Sequence, residues 1–252
     1  MHSARIVSIF SSIQGEGVFA GRPQLFIRLA GCNIRCEYCD TPESLKPVKS
    51  ARIEANPFSG KERENSNPIT SAVIVRKLLN QIKLFSDYHA LSVTGGEPLL
   101  ETKFLKEVLP AVRRELPVLL ETNGLLPERL KELIKLVDII SMDIKMPSDI
   151  GRKINWQSVY QFLKISSIKP DTYVKVVLTD KTDRNELLVA RSVIHRVGKD
   201  IPLVLQPVSR LNYHRGFKCP SNEKTMSVYR LMKERLNDVR IIPQIHRLMH
   251  WK

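Results

Sequence analysis

The chain has only four cysteines, and three of them, Cys32, Cys36 and Cys39, fall within eight residues. Scarcity and crowding together exclude a disulfide framework, whose cysteines would be dispersed, and point to metal binding in a reducing compartment. No apolar run approaches the roughly 20 residues of a membrane span, so membrane insertion is not expected. The first ten residues lack the apolar core of a secretory signal, and a cytoplasmic location is expected. Acidic residues are outnumbered: 26 Asp and Glu face 40 Lys and Arg, a net charge of +14. Such a balance invites a nucleic-acid reading. The basic residues are scattered, however, and no aromatic–basic recognition motif accompanies them. No direct nucleic-acid partner is expected, and a positive surface steering an anionic substrate accounts for the charge as well.

What is present is a hydrophobic share of 42% over 252 residues, enough to build a core without disulfides. Strand-like and helix-like segments alternate after Ser71. Strands are expected at Gln24 to Leu29, Ala90 to Thr94, Val118 to Glu121, Asp138 to Asp143, Tyr173 to Leu178, Leu203 to Gln206 and Val239 to Ile242. Between them, helical spacing marks Ser71 to Phe85, Phe104 to Leu116, Pro127 to Leu136, Trp156 to Ile165, Asn185 to Val197 and Glu223 to Leu236. This alternation predicts an α/β fold with a parallel sheet covered by helices. The length suits a partial (β/α)6-type barrel better than a complete eight-stranded one, with residues 1–252 forming a single domain. Lys46 to Thr70 is polar and without clean period, and is expected to be an exposed insertion after the cysteine loop.

Polar and glycine motifs follow the carboxyl ends of several expected strands, the rim where parallel α/β folds build their sites. They include Thr94-Gly95-Gly96-Glu97-Pro98, Asp143 with Lys145, and Gln206-Pro207. The first strand is followed by Gly31-Cys32-Asn33-Ile34-Arg35-Cys36-Glu37-Tyr38-Cys39-Asp40-Thr41. Three thiolates at this spacing can wrap three corners of one 4Fe–4S cubane, where electron-transfer cubanes take four cysteines. The fourth iron is then open to bind a small molecule. A zinc knot with Cys219 as fourth ligand is the structural alternative, against which stands the habit of zinc ligands to come in pairs.

The cysteine loop, with Tyr38 before its last cysteine, resembles the signature of the radical S-adenosylmethionine superfamily, and so does the Gly-Gly-Glu segment. Further features narrow the resemblance: Ser12-Ile13-Gln14-Gly15-Glu16-Gly17, Arg28 on the next strand, Thr41 after Cys39-Asp40, and Gln244-Ile245-His246 near the end. Taken together they resemble the 7-carboxy-7-deazaguanine synthase family over most of the chain. The resemblance implies a 4Fe–4S cluster on Cys32, Cys36 and Cys39, S-adenosylmethionine as cofactor, and Mg2+ held by Thr41. Tyr38, Cys39, Asp40, Gly96, Glu97, Ser141, Asp143, Lys145 and Gln206 would contact the cofactor. The substrate would be 6-carboxy-5,6,7,8-tetrahydropterin, held by Ile13, Gln14, Gly15, Glu16, Thr94, His246 and the terminal carboxylate of Lys252. Arg28 would meet its carboxylate, for which a guanidinium fork is the natural partner. The product would be 7-carboxy-7-deazaguanine, formed with loss of ammonia for queuosine or archaeosine precursor biosynthesis. An electron donor such as flavodoxin or ferredoxin and a homodimer are implied as partners.

Bland readings stand beside these. Arg28 could snorkel from its strand, Thr41 could cap a turn, and Asp143 and Lys145 could be a surface pair. A glycyl-radical-enzyme activase would share the cysteine loop and Gly-Gly-Glu, but has no need of the N-terminal Gln-Gly-Glu-Gly or the late Gln-x-His. A metal-stabilised RNA-binding module is the non-enzymatic alternative, which zinc in anaerobically purified protein would favour.

Overall fold

The computed structural model describes residues 1–169, 171–209, 218–249 and 251. Its strands are β1 (Ser3–Ala4), β2 (Ile6–Ile13), β3 (Pro23–Leu29), β4 (Ser50–Glu54), β5 (Glu62–Ser66) and β6 (Ile69–Thr70). They continue with β7 (Ala90–Gly95), β8 (Val118–Thr122), β9 (Ile139–Asp143), β10 (Asp171–Leu178), β11 (Leu203–Pro207) and β12 (Val239–Ile241). The helices are α1 (Ser71–Leu84), α2 (Thr102–Val112), α3 (Pro127–Leu133), α4 (Pro147–Ile150), α5 (Trp156–Ser166), α6 (Arg184–Val197), α7 (Asn222–Lys233) and α8 (Ile245–Leu248).

Ten strands form one sheet in the order β12-β11-β10-β9-β8-β7-β3-β2-β4-β5. From β3 to β12 every neighbouring pair is parallel. Helices occupy the crossovers, as the alternating sequence predicts. Their starts are locally encoded: Asn155, Asp183 and Ser221 cap α5, α6 and α7 through side-chain oxygens that accept the first free backbone N–H groups. In α2, Phe104, Leu105, Val108, Leu109 and Val112 form one buried stripe at helical spacing.

Side chains alternate across each parallel strand, so the sheet has two different faces. One face carries Leu25, Ile27, Leu91, Val93, Leu120, Ile140, Val174, Val176, Leu203 and Leu205, packed with the helices into the main core. Each such buried aliphatic side chain contributes about 1.5–3 kcal/mol of transfer free energy. The other face begins with a small apolar layer, Ala90, Leu119, Ile139, Tyr173 and Val204, plugged by Val18 and Phe19. Two residues further along each strand that face turns polar: Ser92, Glu121, Ser141, Lys175 and Gln206. The strand ends therefore open onto a polar concavity with a dry floor.

The sheet is open, and a partial barrel describes it: β5 and β12 are its edges, and no ladder joins them. Across the mouth, the Ile245 N–H donates to the Gly15 carbonyl at 2.9 Å, which brings the chain following β12 back to the end of β2. Residues 46–70 depart from expectation. β4 pairs in parallel with β2, and β5 completes a hairpin. Ala51, Ile53 and Glu54 are buried, because β4 covers the flank of β2. The buried Glu54 carboxylate is satisfied by the Ser11 and Gly60 N–H groups. Only the outer half of the segment is an exposed excursion. No helix among the described residues is long and apolar enough to cross a membrane.

Candidate active site

The cavity over the strand ends encloses about 1210 Å³, open solvent at its mouth included, and all three clustered cysteines line it. Their loop is fixed from several sides. The Gly31 N–H donates to the Ser44 carbonyl at 2.7 Å, and the Glu97 N–H donates to the Gly31 carbonyl at 2.8 Å. Arg35 Nη1 reaches back to the Cys32 and Ile34 carbonyls, at 2.6 and 2.7 Å. Beneath it, Ile34, Cys36 and Tyr38 pack on Ile150, Val177 and Val208. Burial pushes the Cys36 thiol up to about 11 and raises Cys32 as well. These sulfurs become thiolates when a metal supplies the compensating charge.

A single tetrahedral metal would need sulfurs about 3.8 Å apart, from Zn–S bonds of about 2.3 Å. Among the described residues, the one trio of His, Cys, Asp or Glu with ligand atoms that close, all within 4.8 Å, is Glu16, Asp40 and His246. The three cysteine sulfurs do not form such a trio, and three cysteines on one loop suit a 4Fe–4S cube with one open iron. Cys219 is partly exposed and does not line the cavity. The residues present thus fit an iron–sulfur cube held by three cysteines.

On the adjoining strand end, Gly95 and Gly96 lie against the backbone of Leu29 and Gly31. Glu97, expected at the cofactor, is hydrogen-bonded within the protein and is not among the residues that line the cavity. One carboxylate oxygen accepts from the Leu99 N–H and Thr122 Oγ1, the other from the Asn123 N–H, all within 3.1 Å. Burial raises its pKa to about 7, against those hydrogen bonds. Glu97 caps the turn Pro98–Glu101, while Gly95 and Gly96 line the cavity beside it.

A chain of charges crosses the mouth. Lys145 Nζ donates to Asp143 at 2.8 Å, and Lys175 lies 3.2 Å from the same carboxylate. Lys175 also pairs with Glu16, whose other oxygen accepts from Gln244 at 2.7 Å. Gln244 continues to Asp40 at 3.2 Å, and Arg247 closes on Asp40 from outside. Burial alone would raise the Glu16 pKa, but Lys175 and Gln244 overcome it and hold it near 2. Three buried acceptors in this lining have no partner: Asp143 Oδ1, Gln206 Oε1 and Gln244 Oε1. Their residues line the cavity, and unmet acceptors there suit a ligand rich in amine and hydroxyl donors.

The deeper half holds the remaining expected residues. Gln14 Nε2 donates to Glu121 at 2.9 Å and to Gln24 at 3.0 Å, while Thr94 Oγ1 donates to the other Glu121 oxygen at 2.7 Å. Arg28 stands beside Thr94 in the ladder, with its guanidinium 5.7 Å from the Phe10 ring centre. His246 lies against Gly15, where an added Cβ would sit 1.8 Å from its ring nitrogen. Ile13, Tyr38, Thr41, Ser141 and Lys145 line the same space. Lys252 lies outside the described residues. Glu121, Lys175 and Gln244 belong to the site although sequence reasoning assigned them no role. For Glu121 and Lys175 the signal was a polar residue on a strand that a doubly covered parallel sheet would fill with apolar ones; Gln244 lies in the late Gln-x-His segment, just before α8.

The radical SAM superfamily model matches residues 26–179. A 7-carboxy-7-deazaguanine synthase of Geobacter sulfurreducens is 40% identical over 98% of this chain and 97% of its own length. One from Methanopyrus kandleri is 35% identical over 97% of the chain and 92% of its own length. The crystal structure of QueE from Escherichia coli shares the fold, with a TM-score of 0.61 over 97% of this chain and 95% of that one, at 18% identity. With its three-cysteine loop and Gly-Gly-Glu turn on the rim of one cavity, the chain belongs to the 7-carboxy-7-deazaguanine synthase family of the radical S-adenosylmethionine superfamily.

Proposed function

We propose that this protein converts 6-carboxy-5,6,7,8-tetrahydropterin to 7-carboxy-7-deazaguanine with loss of ammonia, in the supply of a precursor for queuosine or archaeosine. The carrying observation is that Cys32, Cys36 and Cys39 share one cavity with Gln14, Glu16, Arg28, Thr94 and His246. When bound, a reduced 4Fe–4S cluster and S-adenosylmethionine supply a carbon-centred radical that removes the hydrogen from the pterin carbon bearing the carboxylate. The protein's part is to bind, orient and exclude water. Asp143 and Gln206 offer their orphaned oxygens to cofactor donors, beside Tyr38, Asp40, Gly96, Ser141 and Lys145. Glu97 fixes the turn that presents Gly96. Ile13, Gln14, Gly15, Glu16, Thr94 and His246 hold the pterin ring. A glycyl-radical-enzyme activase or an RNA-binding module is not favoured, since neither needs this pterin-sized set of donors.

Arg28 takes the substrate carboxylate. Among the described residues no carboxylate pairs with it, and its fork faces the cavity. Arg28→Lys keeps the charge but loses the planar two-point grip. The Michaelis constant for the pterin should rise by about tenfold, the worth of roughly 1.4 kcal/mol of charge-assisted bonding. An unchanged constant would return Arg28 to a packing role against Phe10.

Thr41 is assigned to Mg2+, with Asp40 and Glu16 as the hard oxygens nearest in the lining. The ion would bind the substrate carboxylate and orient the ring contraction. Thr41→Ala should retain iron and reductive cofactor cleavage while losing most of the magnesium stimulation of turnover. A variant stimulated as strongly as the parent protein removes Thr41 from the ion's ligands.

A flavodoxin or ferredoxin would supply electrons. A reducing cytoplasm suits the four free cysteines. A homodimer is supported by an exposed apolar patch in which Phe58 and Trp251 meet, their ring centres 6.2 Å apart. The proposed reaction is tested with carboxypterin deuterated at C6, incubated anaerobically with reductant and S-adenosylmethionine. Deuterium should appear in the recovered 5′-deoxyadenosyl moiety, and a label that stays wholly on the pterin carbon would overturn the reading.

A further inference from the structure

Lys175 has no part in the reaction as proposed above, yet its ammonium stands where the two halves of the cavity meet. It lies on β10 directly opposite Asp143 of β9 in the parallel ladder. Its backbone is fixed there, since the Lys175 carbonyl accepts from the Ile144 N–H at 2.9 Å. The side chain reaches both ways. Its Nζ pairs with Glu16 Oε2 and lies 3.2 Å from Asp143 Oδ2. Among the described residues it is the one cation with ion pairs to a pterin-side and a cofactor-side residue together. The side chains of Lys175, Glu16 and Asp143 are 12%, 18% and 12% exposed, so water and salt screen these pairs little.

The two carboxylates share more than this ammonium. Lys145 Nζ donates to the same Asp143 oxygen at 2.8 Å, while Asp143 Oδ1 is buried without a partner. Lys145 itself stays on the cofactor side, with Asp143 and the Tyr38 ring, whose centre is 5.2 Å away. Gln244 Nε2 donates to Glu16 Oε1 at 2.7 Å and reaches Asp40 at 3.2 Å, an uncharged link between the same halves. A ligand donor on Asp143 Oδ1 would fix that carboxylate and, through Oδ2, the Lys175 ammonium, which in turn fixes Glu16. A donor on Glu16 acts in reverse. The cost of ordering the shared side chains then falls on whichever ligand arrives first, and the second meets partners already in place. We infer that Lys175 is a positioning residue that couples the two subsites, so that the carboxypterin and S-adenosylmethionine each tighten the binding of the other. This coupling rests on the substrate and cofactor proposed above. Its consequence is that the cofactor is best held for cleavage when the pterin lies beside it.

The test needs no turnover. Reconstituted protein with its cluster kept oxidised binds both ligands without cleaving the cofactor. Equilibrium dialysis then gives the dissociation constant of labelled S-adenosylmethionine with and without saturating carboxypterin. In the parent protein the pterin should tighten the cofactor at least about fivefold, and by reciprocity the cofactor should tighten the pterin by the same factor. In Lys175→Met, which keeps the aliphatic stem and removes the charge, that ratio should fall to within about twofold of one. Lys175→Arg keeps the charge and should hold at least about half of the parent ratio. Lys145→Met should weaken the cofactor with and without the pterin alike, leaving the ratio unaltered. A merely structural Lys175 would behave as Lys145 does, lowering affinities without touching the ratio. A parent ratio of about one, a parent-like ratio in Lys175→Met, or a ratio of about one in Lys175→Arg or Lys145→Met overturns the coupling role. A parent protein that binds S-adenosylmethionine but no carboxypterin overturns the proposed reaction and the coupling with it, a result distinct from the binding of both without cooperation.

Discussion

Alanine at Cys36 should yield a folded protein that binds no 4Fe–4S cluster and cleaves no S-adenosylmethionine, and the same is expected at Cys32 and Cys39. Each cysteine lines the cavity on one short loop, and the remaining pair can hold only half of the cube's four corners. The loss should be complete, because no other cysteine lines the cavity. Cys219, in a different part of the chain, follows Lys218, whose N–H donates to Asp180 at 2.9 Å. Cys219→Ala should therefore keep full iron content and full activity. Anaerobic reconstitution followed by iron and sulfide analysis checks both halves. Equal iron loss from Cys219→Ala would refute the three-cysteine site. Far-ultraviolet circular dichroism should be unaltered in every variant, since the sheet and helices do not depend on the cluster for their core.

Gly96→Ala should cost almost as much activity through a single methyl group. A Cβ there would stand 2.1 Å from the Gly31 carbonyl oxygen and 2.9 Å from Cys32 Cβ. Both obstacles belong to the end of β3 and the start of the cysteine loop. The loop cannot retreat cheaply, because the Gly96 N–H already donates to the Leu29 carbonyl at 3.1 Å and the Glu97 N–H to Gly31. The neighbouring Gly95, at φ +141°, holds a conformation that side-chain-bearing residues rarely adopt. The alanine variant should displace Cys32 by a large fraction of an ångström. A misplacement of about 1 Å at a reacting centre costs about a hundredfold in rate, so cofactor cleavage should fall by about tenfold to a hundredfold. Overpacking should cost stability about 1–3 kcal/mol, leaving the protein folded. Cofactor affinity, measured by equilibrium dialysis on reconstituted protein, should weaken in parallel. Parent-like cleavage rates in Gly96→Ala would mean that the close approach of the two strand ends has no catalytic consequence.

The parallel half of this fold was legible because β7 to β11 are short apolar runs, and the helices α2, α5, α6 and α7 between and after them each bury one stripe. The N-terminal edge was not. β2 reads Ile-Val-Ser-Ile-Phe-Ser-Ser-Ile, buried along nearly its whole length, and its place is fixed by pairing with β3 and β4. β4 has only Ala51 and Ile53 as apolar residues, too few for a period to emerge, and its burial comes from the flank of β2. The site was legible where motifs lie on one loop, as with the cysteines, or at one strand end, as with Gly96. The partners of Glu97 were not legible, because composition cannot show that its carboxylate will accept from Thr122 and Asn123 at the end of the next strand. Lys175 escaped notice for the opposite reason. It lies in a Tyr-Val-Lys-Val-Val run, and only the folded sheet brings it between Glu16 and Asp143.

The central claim is the reaction itself. Reconstituted protein, incubated anaerobically with dithionite, S-adenosylmethionine, Mg2+ and 6-carboxy-5,6,7,8-tetrahydropterin, should be followed by mass spectrometry and by an ammonia assay. The account predicts a new species with the mass of 7-carboxy-7-deazaguanine, one ammonia for each molecule formed, and neither in the Cys36→Ala protein. Cofactor cleavage that proceeds while the pterin is recovered intact would contradict it.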